Sequence, residues 1–227
     1  MYQVAIDGPG GSGKSTIAGL CAKKLDFKHI DTGAMYRAFA YYCIQEGCDI
    51  LSKKSVDEAL KNAKITLEFI DGVQHTFVNG EDVSDKIRTQ EIGESASKVS
   101  ELMNVRLELA KNQRTFGERE NIIMDGRDIG TVVLPNATVK IFLTADEGIR
   151  AERRVKELKE KGIVAEFSDV LKQNKIRDDR DTSRAFAPLK VAPDALVINT
   201  NDLDIKAVCD IVIRLIKQKI AAKEGKI

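Results

Sequence analysis

The chain has 227 residues, 43% of them hydrophobic, which suits a buried core in one domain with mobile appendages, or in one large and one small lobe. Its 36 Lys and Arg offset 35 Asp and Glu, so net charge gives no hint of affinity for nucleic acid or membrane; functional charge must be local. Met1 runs into Val4-Ala5-Ile6 without a basic n-region or a long apolar stretch, and Cys21, Cys43, Cys48 and Cys209 lack metal or redox spacing, so a cytoplasmic, reducing compartment is expected.

Short apolar runs alternate with amphipathic patterns, which predicts an α/β fold with a parallel sheet and crossover helices. Val4–Ile6 is the first predicted strand. It leads into Gly8-Pro9-Gly10-Gly11-Ser12-Gly13-Lys14-Ser15, which satisfies G-x-x-x-x-G-K-[ST], and then into a predicted helix over Lys14–Lys24. The glycines let backbone N–H groups curl toward phosphate oxygens, and the helix start adds positive potential. Lys14 then reaches the β- and γ-phosphates, and the Ser15 hydroxyl is placed for Mg²⁺. The strand-loop-helix context separates this motif from a chance glycine-rich turn.

A second strand, Lys28–Ile30, delivers Asp31-Thr32-Gly33-Ala34-Met35-Tyr36-Arg37 to the sheet edge where ligands bind in such folds. Asp31 or Thr32 caps the next helix, Ala34–Glu46, with Arg37 about one turn inside it. Lys64–Ser84 breaks the alternation as a small meander with turns at Asp71-Gly72 and Asn79-Gly80. A helix is predicted over Asn104–Phe116; with Asn104 as its cap, Arg106 sits in the first turn, against the macrodipole, which hints at a role beyond helix stability. Strand Asn121–Met124 delivers Asp125-Gly126-Arg127-Asp128, where Asp125 is placed for a magnesium-water contact and Gly126 for a sharp turn. Val139–Leu143 and Ala195–Asn199 complete the predicted strands. Between them Arg150–Arg184, with helices Asp146–Lys161 and Ser168–Asp181, is charge-rich and is expected outside the core as a helical flap. Arg177, Asp181 and Arg184 share one helix face, which by itself equally describes a surface ion-pair ladder. The last helix, Asp204–Ala222, has Val208, Ile211, Val212, Leu215 and Ile216 at helical spacing for packing on the sheet.

A phosphate loop is shared by GTPases, motors and small-molecule kinases. Asn199-Thr200-Asn201-Asp202 lacks the lysine of a guanine-reading N-K-x-D, and the chain is short for a motor, which favours a small kinase. A hydroxyl acceptor needs a base, whereas a phosphate monoester is already anionic and needs converging arginines instead. With His29 and His75 the only histidines and arginines clustered in loops and flap, the second type fits better. The residues alone leave open a hydroxyl kinase with Asp125 or Asp128 as base, and an ATP-gated regulator.

Ile6-Asp7-Gly8-Pro9, Asp31–Arg37, Ile87-Arg88-Thr89-Gln90-Glu91, Asp125–Val133 and Arg177-Asp178-Asp179-Arg180-Asp181, in this order, resemble the bacterial cytidylate (CMP/dCMP) kinases of the P-loop nucleoside monophosphate kinase superfamily. The resemblance spans essentially the whole chain; Thr32 stands where some relatives have serine. It implies a five-stranded parallel core flanked by helices (about 1–46, 117–149 and 185–227), a monophosphate-binding region (about 47–116) carrying the small β insert, and a closing lid (about 150–184). It implies ATP binding by Gly8, Pro9, Gly10, Gly11, Ser12, Gly13, Lys14, Ser15 and Thr16, joined from the lid by Arg150 and Arg154. Cytosine contacts fall to Ser97, Arg106 and Asp128 with Thr32 nearby, sugar contacts to Arg177 and Asp181, and acceptor-phosphate contacts to Arg37, Arg127 and Arg184. Lys14, Arg127 and Arg184 are the expected catalytic residues, and Ser15 with Asp125 the holders of the Mg²⁺ that accompanies ATP. The implied partners are ATP and CMP or dCMP, giving ADP and CDP or dCDP, with neither nucleic acid nor membrane and a monomeric chain. The chemistry agrees: Asp128 can accept from the cytosine amino group, while the uracil carbonyl at that position would face it unfavourably, by about 1–3 kcal/mol.

Overall fold

The computed structural model describes residues 1–225. In chain order it begins β1 (Gln3–Asp7), α1 (Lys14–Leu25), β2 (Lys28–Asp31), α2 (Thr32–Gln45) and α3 (Lys53–Asn62). A meander follows, β3 (Ile65–Ile70), β4 (Val73–Val78) and β5 (Glu81–Asp82), then α4 (Gln90–Val99) and α5 (Met103–Gly117). The second half runs β6 (Ile122–Gly126), β7 (Val139–Thr144), α6 (Glu147–Glu160), α7 (Phe167–Ser183), β8 (Leu196–Asn199) and α8 (Ile205–Lys223).

Five strands form an all-parallel sheet in the order β2-β6-β1-β7-β8, and the meander forms a separate antiparallel sheet, β3-β4-β5. The parallel strands are near-continuous apolar runs because both faces are covered. On one face α1 and α8 pack Ile17, Cys21, Val208, Val212 and Ile216 against Val4, Ile6, Ile123 and Ile141. On the other, α2 and α5 bring Met35, Phe39 and Leu109 against Ala5, Ile30 and Met124. Register then builds the site. Ile6 and Asp31 both pair with Asp125, so the phosphate loop, the start of α2 and the end of β6 emerge at one sheet edge.

Helices α6 and α7 pack mainly on each other around a small apolar cluster of Ala151, Leu158 and Val170. Among the described residues no helix is long and apolar enough to cross a membrane.

Three local expectations are corrected. Asn104 does not cap α5: Leu102 occupies that position, and Asn104 instead donates to Asp57 Oδ1 at 2.6 Å while its own Oδ1 accepts from Val105 N. Gly126 does not turn sharply; it is the last residue of β6, and a Cβ there would lie 2.6 Å from Ile129 Cδ1 and 2.7 Å from Thr32 Oγ1, so close packing requires the glycine. Helices α3 and α4 lie where no element was expected, each started by a side-chain cap, Ser52 and Thr89.

Candidate active site

The loop between β1 and α1 is wedged against the sheet: a Cβ on Gly8, at φ 155°, would lie 2.1 Å from the Leu143 carbonyl oxygen. Lys14 folds back over the loop and donates to Pro9 O at 3.0 Å. Burial, reinforced by the charges of Arg127 and Arg177, pushes the Lys14 ammonium down to about 7 from 10.5, even with Asp125 and Asp181 opposing. Ser15 Oγ donates to Asp125 Oδ2 at 2.6 Å, and His29 Nε2 meets Asp125 Oδ1 at 2.7 Å. Burial alone would raise Asp125; the hydrogen bond and charge of His29, with Lys14 and Ser15, hold it below the usual carboxylate range.

Asp7, in the sequence a member of the Ile6-Asp7-Gly8-Pro9 motif, fastens the site together. Its two oxygens accept from Ile129 N and Gly130 N, each at 2.8 Å, at the start of a π-helical turn (Ile129–Val133). Burial pushes its carboxyl up to about 6 despite those two donors. The turn begins beside Asp128, which pairs with Arg106 Nη2 at 2.5 Å. Arg106 also donates through Nη1 to Ser100 O at 3.0 Å and lies over the Tyr36 ring, 5.4 Å from its centroid. Both members of that pair are almost wholly buried.

A second carboxylate organises the other arginines. Asp181 on α7 accepts from Arg127 Nε at 2.7 Å and faces Arg184 Nη1 at 3.4 Å, and Arg184 Nε donates to Ala187 O. Arg177 makes no hydrogen bond among the described residues, and burial together with Arg127 lowers it to about 10. Arg37 donates weakly to Ile87 O at 3.4 Å, with Arg88, Arg154 and Arg127 as charged neighbours. Buried N–H groups on Arg106 (Nε), Arg177 (Nε) and Arg184 (Nη2) have no partner among the described residues. Unpaired guanidinium nitrogens at such depth are a standing demand for acceptors.

These groups line one cleft of about 1450 Å³. Of the sequence-predicted residues, Gly10 through Thr16, Thr32, Arg37, Ser97, Arg106, Asp125, Arg127, Asp128, Arg154, Arg177, Asp181 and Arg184 border it. Gly8, Pro9 and Arg150 do not. Arg150, expected on the nucleotide, is 3% exposed and braces the loop from behind, donating to Gly10 O at 3.0 Å and Ala145 O at 2.9 Å and pairing with Asp178 at 2.7 Å. Arg184 neighbours Arg106, Asp128 and Tyr36 more than Arg37, so the arginines form two groups bridged by Asp181. Arg153 is tied to Thr200 by bonds of 3.0 and 2.6 Å. Tyr36, Arg88 and Arg180 also line the cleft, and membership of the motifs is the signal the sequence carries for them.

Among the described residues no three His, Cys, Asp or Glu side chains cluster as a metal site. Ser15 and Asp125 still offer two hard oxygen donors beside the loop, the small protein share that Mg²⁺ takes when phosphates complete its shell.

A phosphate loop at the C-terminal edge of a parallel sheet, facing a bank of buried arginines across one cleft, defines a P-loop kinase for small molecules. The cytidylate kinase family model matches residues 4–218. The cytidylate kinase of Caldicellulosiruptor bescii is 47% identical over 212 residues, 93% of this chain and 94% of that one. That of Bacillus subtilis (strain 168) is 44% identical over 216 residues, 95% and 96% of the two chains. In fold alone, an uncharacterized protein from Eubacterium ventriosum is similar at a TM-score of 0.51 and 14% identity, covering 96% of this chain and 99% of that one. The chain belongs to the cytidylate kinase family.

Proposed function

We propose that the chain transfers the γ-phosphoryl group of ATP to CMP or dCMP, releasing ADP and CDP or dCDP. The observation that carries this reading is the meeting, in one cleft, of Lys14 and the loop amides with the arginines Arg37, Arg127 and Arg184 and with the Arg106–Asp128 pair. The first set suits a triphosphate, the second a phosphate monoester, and the third a base with both donor and acceptor edges.

An acceptor phosphate oxygen attacks the γ-phosphorus in line; the bond to the β–γ bridging oxygen breaks, and its electron pair leaves with ADP. No base is required, because the acceptor phosphate is largely dianionic at neutral pH. What the protein supplies is position and neutralisation. Lys14 holds the donor phosphates, and Arg37, Arg127 and Arg184 hold the acceptor phosphate. Arg177 and Asp181 hold the sugar, while Asp128 accepts from the cytosine amino group, with Arg106 and Ser97 on the acceptor edge and Thr32 nearby. Arg154 reaches the nucleotide from the rim. Arg150 acts one step removed, by fixing the Gly10 carbonyl. Ser15 and Asp125 would hold Mg²⁺, which when bound neutralises β- and γ-oxygens. Helices α6 and α7 (with their flanks, about 150–184) serve as the lid that excludes water, and about 47–116 as the monophosphate-binding region. The chain is read as a monomer working in the cytoplasm.

The test is ADP release, coupled to a reporter, across CMP, dCMP, UMP, AMP and GMP. Rapid turnover with CMP and dCMP is expected; ADP release independent of any acceptor, or equal rates with AMP and GMP, overturns the assignment.

A further inference from the structure

We infer that Arg180 fixes the hydrogen-bond polarity of Ser97 and so selects cytosine over uracil; this rests on the cytidylate kinase reading of the cleft. Ser97 lies on α4, 6% exposed, and its hydroxyl oxygen accepts from Arg180 Nη1 on α7 at 3.0 Å. A guanidinium has donors only, so the direction of that bond admits no alternative. Ser97 Oγ has no other hydrogen bond among the described residues, which leaves its own O–H free to donate into the cleft.

Ser97 is also placed at the base end. Its carbonyl accepts from Ser100 Oγ at 2.8 Å, and the Ser100 carbonyl accepts from Arg106, the partner of Asp128. Arg180 is itself held from the far side, its Nε 2.9 Å from Glu101 Oε1. An unrestrained serine both donates and accepts, and so satisfies N3 of cytosine (an acceptor) or N3–H of uracil (a donor) by rotating. With Arg180 on one of its two lone pairs and no acceptor for its O–H among the described residues, Ser97 is satisfied by donating; a uracil N3–H on the second lone pair would leave that O–H without an acceptor. Cytosine N3 matches the donor; uracil N3–H opposes it. Arg180 is thus a positioning residue, acting on the base through Ser97.

The experiment compares kcat/KM for CMP and UMP in wild type, Arg180→Met, Arg180→Lys, Ser97→Ala and the Arg180→Met/Ser97→Ala double variant. Arg180→Met is expected to lower the CMP:UMP ratio about tenfold, the range of one oriented hydrogen bond, with Arg180→Lys retaining most of it. Ser97→Ala is expected to lower it similarly, and the double variant no further than Ser97→Ala alone. A ratio unchanged in Arg180→Met, or equal losses with CMP and UMP, overturns the inference. Should Arg180→Met fold poorly, Glu101→Gln releases the same guanidinium and is expected to shift the ratio the same way by a smaller factor; no shift there counts against the idea. A wild type without preference for CMP instead removes the functional reading beneath it, so the two failures are distinguishable.

Discussion

Beneath the cleft, Val4, Ile6, Ile141 and Leu143 are at most 1% exposed and α1 and α8 seal one face of the sheet; above it, α6 and α7 share a small apolar cluster. Charge joins the cover to the rest through Arg127–Asp181 and Arg180–Glu101, while Arg150–Asp178 ties its two helices to each other. Apolar burial stabilises the floor whatever occupies the site. The cover, by contrast, holds buried cations that repel one another until an anion arrives, so its stability is coupled to ligand. Floor and cover are therefore separable by experiment.

The sharpest separation is expected at Lys14, where the floor meets the charge. Lys14→Met should lower kcat on the order of 10³-fold, because one donor to the transferring group is lost. The same change should leave the thermal midpoint unchanged or raised, since folding disfavours the charged ammonium at this depth. A large stability loss would place Lys14 in the scaffold and blur the distinction. Next come paired core truncations. Ile141→Ala should cost about 2–5 kcal/mol in chemical denaturation. Leu158→Ala in α6 should cost less than half of that, with faster hydrogen exchange confined to α6 and α7; equal effects would make cover and floor one cooperative unit.

The third prediction is a proton. Lys14 titrates at about 7 in the free protein, below its ordinary 10.5, so its charged form costs folding free energy at pH below 7, and that cost fades as pH rises from 7 toward 10.5. A bound polyphosphate restores the charge. Calorimetry at pH 8 in buffers of different ionisation enthalpy should therefore show uptake approaching one proton per ATP bound, and almost none at pH 6. No uptake at either pH would mean that Lys14 is already an ammonium. The smallest effect belongs to the exposed rim of the cover, where Glu157 bonds Arg154 and Lys161 while 46% exposed. Glu157→Gln should shift stability by no more than about 0.5 kcal/mol.

The same contrast explains what could be read from residue order. Strand and helix positions in the floor were legible because burial on both faces leaves unbroken apolar runs such as Ile122-Ile123-Met124. The phosphate loop was legible because its function is local in the chain. Helices α3 and α4 were not, though Ser52 and Thr89 offered caps, because each has ten residues and few large apolar ones. Gly93 further obscured α4; its reason is spatial, since a Cβ there would lie 3.1 Å from Arg37 Nη1. Arg150, Arg153 and Arg154 look alike in sequence, yet helix packing sends them to Gly10, Thr200 and Glu157. Which arginine meets which carboxylate is decided across more than fifty positions for Arg127 and Asp181, beyond the reach of any local pattern.

The carboxylate of Asp7 grips the amides of Ile129 and Gly130, one residue before the glycine loop and one residue after Asp128. It works as a ruler: the seats for the two reactants are gauged from a single side chain rooted in the central strand. Movement overhead alters what shields the reactants, while the gap between them is cut into the bedrock.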